Sequence, residues 1–193
     1  MQHDFKARID VYFGRVKAAL DAVPREEVDD FLSLLLEALE AERTVYIMGN
    51  GGSAATASHY TCDFNKGLSY GKAKRYRFVC LNDNVPTLTA YANDVGYDKV
   101  FVEQLRNFLG PEDVVIAISG SGNSPNVLAA IDYANSVGAA TVGLSGFDGG
   151  ELRRRAKHNV TIPVHDMQIT EDIHMVLDHL VYYVFKDLLP TVV

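Results

Sequence analysis

The chain has 193 residues, of which 48% are hydrophobic and 22% are charged, and these values are ordinary for a globular protein. A chain of this length buries about 70% of the surface that its unfolded form exposes, so it needs no disulfide or structural metal for stability. The net charge of −7 repels the phosphates of nucleic acids, which excludes a general nucleic-acid-binding protein and means that local groups must hold any anionic ligand.

Two amphipathic helices are predicted at the start of the chain. Ile9, Phe13 and Leu20 recur at helical spacing, and Val28 and Leu39 belong to a second helical pattern after the break at residues 24–27. Residues 44–48 then form a short β-branched apolar run, typical of a strand, which is followed by a glycine-rich loop and an Ala-rich helix to about residue 62. We expect a single domain over residues 1–193, with 1–43 as a helical extension and 44–193 as an α/β core.

The unit of strand, loop and helix recurs along the rest of the chain. Further strands are predicted at residues 77–81, 113–118, 140–144 and 160–164, and helices at 86–92, 99–108, 124–136 and 170–189. Because the strands are continuously apolar and helices follow them, we expect a doubly wound α/β fold with a five-stranded parallel sheet covered on both faces. Ligands of such sheets bind at the carboxyl ends of the strands.

A first polar loop follows the strand at residues 44–48. Its sequence, Gly-Asn-Gly-Gly-Ser-Ala at residues 49–54, formally matches one variant of the dinucleotide fingerprint. The acidic residue that would hold a ribose hydroxyl about 20 residues later is missing, since the nearest candidate is Asp83. The sequence therefore disfavours a nicotinamide cofactor.

A second polar loop, residues 119–124, follows the strand at 113–118. Ser119, Ser121 and Ser124 alternate with glycines, so hydroxyls and backbone N–H groups converge where the helix dipole favours an anion. We interpret this loop as a cradle for one small phosphate group. A Walker lysine is absent, so nucleoside triphosphate hydrolysis is not expected. The alternative is that these residues only cap the helix, and the presence of two such loops weakens it.

Candidate metal ligands and acid–base groups lie on two helices. His59 and Asp63 are four residues apart and share one helix face, which suits metal binding or proton transfer, although a core His beside a solvated Asp is an alternative. His174 and His179 are five residues apart and point about 140° away from each other, so one of them is expected to be structural. The ligand-type residues of the last helix are Glu171, Asp172, His174, Asp178 and His179.

Four segments together resemble the sugar isomerase (SIS) domain family: GNGGS at residues 49–53, AND at 92–94, ISGSGNSPNVLAAI at 118–131 and TVGLSGFDGGEL at 141–152. The resemblance covers nearly the whole chain and is greatest to the isomerases of seven-carbon sugar phosphates. It implies conversion of sedoheptulose 7-phosphate to D-glycero-D-manno-heptose 7-phosphate through an enediolate, by a homotetramer with sites shared between subunits. It also implies that Ser53, Ser119, Ser121 and Ser124 hold the phosphate.

The same resemblance assigns the remaining site residues. It implies that His59, Asp63, Glu171 and His179 bind zinc and that Asp63 and His179 form the catalytic pair that exchanges protons with the substrate. Asp63 stands where the family has Glu, and Glu171 where it has Gln. Eight helical residues span about 12 Å, so donation from two subunits would ease the geometry of Glu171 and His179. The further substrate-binding residues are Asn50, Gly51, Gly52, Asp94, Gly120, Gln168 and Glu171.

Two substitutions in this set bear on the substrate. Gly120 stands where the family commonly has Thr, which removes one hydroxyl but leaves the backbone cradle. Gln168 stands near a family Asp, so the hydroxyl pattern that is recognised may change with it. Two rival functions remain open, an isomerase of another phosphosugar and a non-catalytic phosphosugar-binding or regulatory protein. Asp63 argues against the latter, because the related regulatory subfamily has lost the catalytic carboxylate.

Further patterns concern assembly and location. The first and last helices each carry an apolar stripe, with Ile9 and Ile173 as members, which predicts association of subunits unless the stripes pack within the chain. Cys62 and Cys80 lack CxxC spacing, which fits the reduced cytoplasm. The chain shows no signal-peptide apolar region and no run of 18 apolar residues, so we expect no membrane association and no direct nucleic-acid partner.

Overall fold

A five-stranded parallel sheet forms the centre of the computed structural model, which describes residues 4–190. Its spatial order is β2-β1-β3-β4-β5, and every neighbouring pair of strands is parallel. The expected doubly wound α/β class with a five-stranded parallel sheet is confirmed. The strands are β1 Thr44–Gly49, β2 Arg77–Cys80, β3 Val114–Ser119, β4 Ala140–Gly146 and β5 His158–Ile162.

Helices precede the sheet and connect its strands. α3 continues directly into a π-helical segment, Asp63–Leu68, which the sequence analysis did not predict, and a 3₁₀ turn, Tyr97–Lys99, precedes α5. The last helix begins three residues before its predicted start because the Asp166 carboxylate accepts the backbone N–H groups of Gln168 and Ile169 and caps it. The helices are α1 Phe5–Asp21, α2 Arg25–Glu40, α3 Gly52–Cys62, α4 Val85–Asp94, α5 Val102–Phe108, α6 Pro125–Val137, α7 Gly150–Arg155 and α8 Met167–Phe185.

The sheet is buried on both faces, which explains its continuously apolar strands. Along β3, Ile116 and Ile118 point to the face that α1, α2, α3 and α8 cover. Val115 and Ala117 point to the opposite face, which α5 and α6 cover. Each strand residue in the middle of the sheet therefore contributes to one of two hydrophobic cores.

The crossover connections place a crevice between β1 and β3. α3, which follows β1, packs on one face of the sheet, and α6, which follows β3, packs on the other. β1 and β3 are neighbours in the sheet, so the chain leaves their carboxyl ends in opposite directions. This is the position at which doubly wound folds bind ligands, and both polar loops found in the sequence lie there.

The outer surfaces of α1 and α8 keep apolar side chains in contact with solvent. α1 packs on α8, where the Tyr12 hydroxyl donates to Asp172 and Arg15 pairs with Asp166 at 2.8 Å. Part of each predicted stripe is thus covered within the chain, and part stays exposed. The exposed members are Ile9 and Phe13 on α1 and Val176 and Leu180 on α8, and Val11 and Tyr183 beside them are exposed as well.

Two further expectations concern helices and thiols. Among residues 4–190, no helix combines the length and the apolar character that crossing a bilayer requires. Cys62 is exposed and Cys80 is buried, and neither forms a disulfide.

Candidate active site

The serine loop after β3 forms one wall of the crevice. Ser119 ends β3 and is buried, and Ser124 immediately precedes α6, so their hydroxyl oxygens lie 3.2 Å apart at the N-terminus of that helix. Ser121 accepts the backbone N–H of Asn123 through its hydroxyl oxygen and keeps its own hydroxyl proton for a ligand. The hydroxyl groups and the helix N-terminus together favour an anion.

Two glycines of this loop are closely packed, and Gly122 is required by its backbone conformation and by a backbone neighbour. Gly122 has φ +67°, and a Cβ there would overlap the carbonyl oxygen of Gly149. At Gly120 a Cβ would overlap the sulfur of Met167, which fills the space above this position. Met167 of α8 thus occupies the space that the side chain of the family's Thr would need at position 120.

The loop after β1 forms the other wall, and an amide pair ties it to α6. The amides of Asn50 and Asn126 each donate to the other, with both N···O distances at 2.9 Å, and the Tyr97 hydroxyl donates to Asn50 Oδ1 at 2.8 Å. These bonds occupy the carbonyl oxygen of Asn50 and leave one of its amide hydrogens for a ligand. The sequence analysis missed Asn126 and Tyr97 because residues 50 and 126 meet only through the fold.

The remaining residues of this wall lie at the start of α3. Ser53 is buried in the first turn of the helix, and Gly51, with φ +57°, has open space around its Cα atom. The Glu171 carboxylate of α8 lies directly against Gly52, where a Cβ would overlap its oxygens. α8 therefore borders the crevice as well as the core.

A group of imidazoles and carboxylates lies further along α3 and α8. His59 Nε2 is 3.2 Å from His179 Nε2, 3.7 Å from Asp63 Oδ2 and 3.8 Å from Asp178 Oδ2. One donor atom from each of these four side chains lies within 4.8 Å of all the others. Asp63, the first residue of the π-helical segment, lies one turn beyond His59 of α3, and the two side chains share one face, as their spacing predicted. This His/Asp group can hold a metal ion.

The carboxylates of the group have different environments. Asp63 is partly exposed, whereas the Asp178 side chain is completely buried. Burial, with a smaller contribution from the Asp63 charge, raises the pKa of Asp178 to about 7. Burial and the Asp178 charge likewise raise the pKa of Tyr60 well above its usual value. Asp178 was counted among the ligand-type residues but was not selected, although an acidic residue at a core position of a helix is itself a signal.

The two histidines of α8 lie in different surroundings. His174 is fully buried, its Nε2 lies 3.3 Å from the carbonyl oxygen of Ser145, and it contacts none of the four clustered side chains at hydrogen-bond distance. Burial lowers the pKa of His174 to about 4, so its ring is neutral. His179 is the histidine that joins the cluster.

Glu171, Asp94 and Gln168 lie outside the His/Asp group within one chain. Glu171 contributes no atom to the His/Asp group and faces Gly52 instead. Asp94 ends α4 with an exposed side chain that accepts from the Asn93 amide at 2.7 Å. Gln168 is exposed in the first turn of α8.

The sequence and the fold both relate this chain to known proteins. Residues 11–146 match the SIS domain family, and the chain belongs to that family. The phosphoheptose isomerase of Syntrophotalea carbinolica is 38% identical over 94% of this chain and 91% of that protein. The phosphoheptose isomerase of Helicobacter pylori strain P12 is 34% identical over 86% of this chain and 85% of that protein. Within the SIS domain family, the chain is thus a member of the phosphoheptose isomerase family of aldose–ketose isomerases.

Solved structures agree with this assignment. The phosphoheptose isomerase of Neisseria gonorrhoeae superposes with a TM-score of 0.87 and 28% identity, covering 95% of this chain and 99% of that one. That of Francisella tularensis has the same TM-score at 22% identity, over 96% of this chain and 100% of that one, and shows the shared fold. The predicted family is therefore confirmed.

Proposed function

We propose that this protein converts sedoheptulose 7-phosphate to D-glycero-D-manno-heptose 7-phosphate. The observation that carries the proposal is the His/Asp group on α3 and α8, on the same two helices that border the serine-lined crevice. A sugar phosphate needs one place for its phosphate, which the serine loop offers, and another for its reacting carbonyl, which the His/Asp group offers. The family membership supplies the reaction class and the substrate.

The serine loop and the start of α3 are proposed to hold the phosphate. Hydroxyl and backbone N–H donors at two helix N-termini bind a phosphate without a lysine, which suits a chain of net charge −7. The four hydroxyls, with the backbone of Gly51, Gly52 and Gly120, are the donors we assign to this end: Ser53, Ser119, Ser121 and Ser124. Asn50 has one free amide hydrogen for a sugar hydroxyl.

Asp63 and His179 are proposed to move the protons. Isomerisation removes a proton from the carbon beside a carbonyl, returns one to the neighbouring carbon, and shifts another between the two oxygens. Asp63 is partly exposed and His179 is exposed, so both can reach a substrate. Each lies close to His59 Nε2, at 3.2 Å for His179 Nε2 and 3.7 Å for Asp63 Oδ2, so the two groups are near one another.

The donor chemistry of the group fits a divalent metal ion, and we propose zinc. The donors are two imidazole nitrogens and a carboxylate, from His59, His179 and Asp63. Imidazole donors favour zinc over harder cations. When bound, such an ion supplies Lewis-acid polarisation of a carbonyl oxygen. Glu171, which the family pattern places among the ligands, borders Gly52 in the same chain, and in that place it contacts the substrate.

We propose further that the protein is a cytoplasmic homotetramer whose subunits share active sites. The unpaired thiols of Cys62 and Cys80 support the reduced compartment. The exposed apolar side chains of α1 and α8 support the assembly, and Asp94 and Gln168, which are exposed away from the cluster, are the residues we assign to a neighbour's substrate.

The assembly is tested by light scattering on two matched variants. Leu180→Asp places a charge on the exposed stripe of α8 and should lower the mass in solution. Phe108→Asp, on α5 at the other face of the sheet, changes an even more exposed apolar side chain outside the two stripes and should leave the mass unchanged. A wild-type protein that is monomeric at micromolar concentration would end the idea.

Proton exchange with solvent tests the enzyme itself. Zinc-loaded protein is incubated with sedoheptulose 7-phosphate in deuterated water, and NMR records both the aldose product and the loss of the carbon-bound proton. Asp63→Asn and His179→Gln should abolish most of both signals. Asp30→Asn on α2 and His158→Gln at the amino end of β5 make the same changes away from the crevice and serve as controls. Binding of the sugar phosphate with no exchange would leave a binding protein and not an isomerase.

A further inference from the structure

One backbone group fixes the orientation of the amide pair in the crevice. The Val127 N–H lies in the first turn of α6, where backbone donors have no acceptor within the helix, and it donates to Asn126 Oδ1 at 3.0 Å. A backbone nitrogen only donates, so the Asn126 side chain presents its oxygen to this group and not its amide nitrogen. Asn126 is 2% exposed, so water does not compete for its bonds. The fold therefore determines which way this amide faces.

The orientation of Asn126 determines that of Asn50, and Asn50 determines where the hydroxyl proton of Tyr97 lies. The two amides bond reciprocally, nitrogen to oxygen, with both distances at 2.9 Å. Turning the Asn50 amide over would bring oxygen against oxygen and nitrogen against nitrogen. The atom that lies 2.8 Å from the Tyr97 hydroxyl is therefore the oxygen of Asn50. Because an amide oxygen only accepts, Tyr97 donates its single hydroxyl proton to it.

The Tyr97 hydroxyl consequently meets a ligand as an acceptor. Its one proton is given to Asn50, while its oxygen keeps the capacity to accept. Tyr97 is 54% exposed and lies beside Asn50 in the wall of the crevice. The ionised phosphate and the carbonyl oxygen of a sugar phosphate have no proton to donate, whereas its hydroxyl groups have one each. Among the groups of such a ligand, only a hydroxyl can therefore donate to Tyr97.

This preference is opposite to that of the serine loop. The Ser121 hydroxyl keeps its proton for a ligand, and the N-terminus of α6 favours negative charge. Tyr97 offers a lone pair, which a phosphate oxygen disfavours. The serine loop and Tyr97 thus select different parts of a sugar phosphate.

Tyr97 is held in place by its own chain. It begins the 3₁₀ turn Tyr97–Lys99, directly after Gly96, whose φ of +130° is a conformation that suits glycine. The turn packs on α6, the helix that also carries Asn126. Because the hydrogen bond joins Tyr97 and Asn50 of the same chain, the position of this acceptor does not depend on how subunits assemble.

We propose that Tyr97 is a specificity-determining residue whose oxygen accepts a hydrogen bond from one hydroxyl group of the sugar chain. The proposal rests on the proposed function and deepens it, because it names the part of the substrate that this wall of the crevice recognises. Asn50 adds its one free amide hydrogen as a donor. An acceptor and a donor on one wall match a polyhydroxylated chain, and they do not match a second anionic group.

Binding of two ligands to matched variants tests the proposal. Tyr97→Phe removes the oxygen and keeps the ring, and Tyr91→Phe makes the same change on α4, where the hydroxyl faces Asn107 of α5. Calorimetry measures Kd for sedoheptulose 7-phosphate and for inorganic phosphate. Tyr97→Phe should weaken binding of the sugar phosphate by about 3- to 10-fold and of inorganic phosphate by less than about 2-fold, and Tyr91→Phe should change neither. Unchanged binding of the sugar phosphate in Tyr97→Phe, or an equal loss for both ligands, would overturn the proposal.

Deoxy analogues separate a direct contact from an effect that acts through Asn50. Each mono-deoxy analogue of sedoheptulose 7-phosphate lacks one hydroxyl. One of them should bind wild-type protein about 3- to 10-fold more weakly than the parent sugar phosphate, and it should bind Tyr97→Phe as well as the parent does. A series in which every analogue loses the same factor in both proteins would overturn the proposal, as would a wild-type protein that binds no sugar phosphate. The expected pattern in a protein that does not isomerise the sugar would support the proposal and count against the proposed function alone.

Discussion

The buried imidazole of His174 makes a quantitative prediction about stability and pH. In the folded protein its Nε2–H faces the carbonyl oxygen of Ser145, and its Nδ1 has no partner among the described residues. Burial lowers the pKa of His174 to about 4 from an ordinary value of 6.5. The folded protein therefore keeps the ring neutral at pH values where the unfolded chain already carries its charge.

The sign and the size of the effect follow from this difference in pKa. Well above pH 6.5 the ring is neutral in both states, and the free energy of unfolding does not depend on it. As the pH falls from 6.5 towards 4, only the unfolded state takes up the proton, so the free energy of unfolding decreases by up to about 1.4 kcal/mol per pH unit. Between pH 8 and pH 4.5 the loss amounts to about 2.5 kcal/mol.

The assay compares wild-type protein with His174→Gln, which keeps a donor near Ser145 and removes the titrating group. Urea unfolding of the metal-free proteins is followed by circular dichroism at one protein concentration, from pH 8 to pH 4.5. All other titrating groups, Asp178 among them, are present in both proteins and cancel in the difference. The unfolding free energy of the variant should gain about 2.5 kcal/mol relative to wild type as the pH falls. A difference that stays constant within about 0.5 kcal/mol would refute the argument that burial keeps His174 neutral.

Three further predictions concern the site. Asp63→Asn should lower kcat by about 10²- to 10⁴-fold with little change in sugar phosphate binding, whereas Ser124→Ala should mainly raise KM, and steady-state kinetics with calorimetry separates the two. Gly120→Thr should lower the free energy of unfolding by about 1–3 kcal/mol because its Cβ overlaps the sulfur of Met167, and adding Met167→Ala should recover part of that loss in urea unfolding. Zinc at about 100 times its Kd should raise Tm by roughly 5–10 °C, and a calorimetric scan in which a chelator leaves Tm unchanged would speak against a bound ion.

The hydrophobic pattern was sufficient to predict the architecture. Apolar runs without alternation, each followed by a helical pattern, predicted a parallel sheet covered on both faces, and the two cores confirm the reason. Among the strands, the main displacement is β5, predicted at residues 160–164 and observed at His158–Ile162. Pro163 lacks the N–H that a hydrogen bond between strands needs, so β5 ends before it. The apolar Val164 beyond the proline extended the predicted strand by two residues.

The site was predictable where spacing along one helix determines it. His59 and Asp63 lie on one helical face at any tertiary arrangement, and the polar loops follow strands whose ends must meet at one edge. Contacts between distant segments carry no such local signal. The pairing of Asn50 with Asn126, and the place of Asp178 beside His59 where the family pattern pointed to Glu171, depend on how α3, α6 and α8 pack.

α8 is one continuous helix that contacts both the polar loops and the His/Asp group. Its first turns lie against the glycines of both polar loops, through Met167 and Glu171, and His179 lies in the His/Asp group two turns further on. A regular helix fixes this separation at about 1.5 Å per residue, or about 12 Å over the eight residues from Glu171 to His179. Because each residue also turns the helix by about 100°, one residue inserted between them would rotate His179 out of the His/Asp group as well as change the separation. Under the proposed function, the distance between the phosphate and the reacting carbons is therefore fixed by α8 and cannot be adjusted one residue at a time.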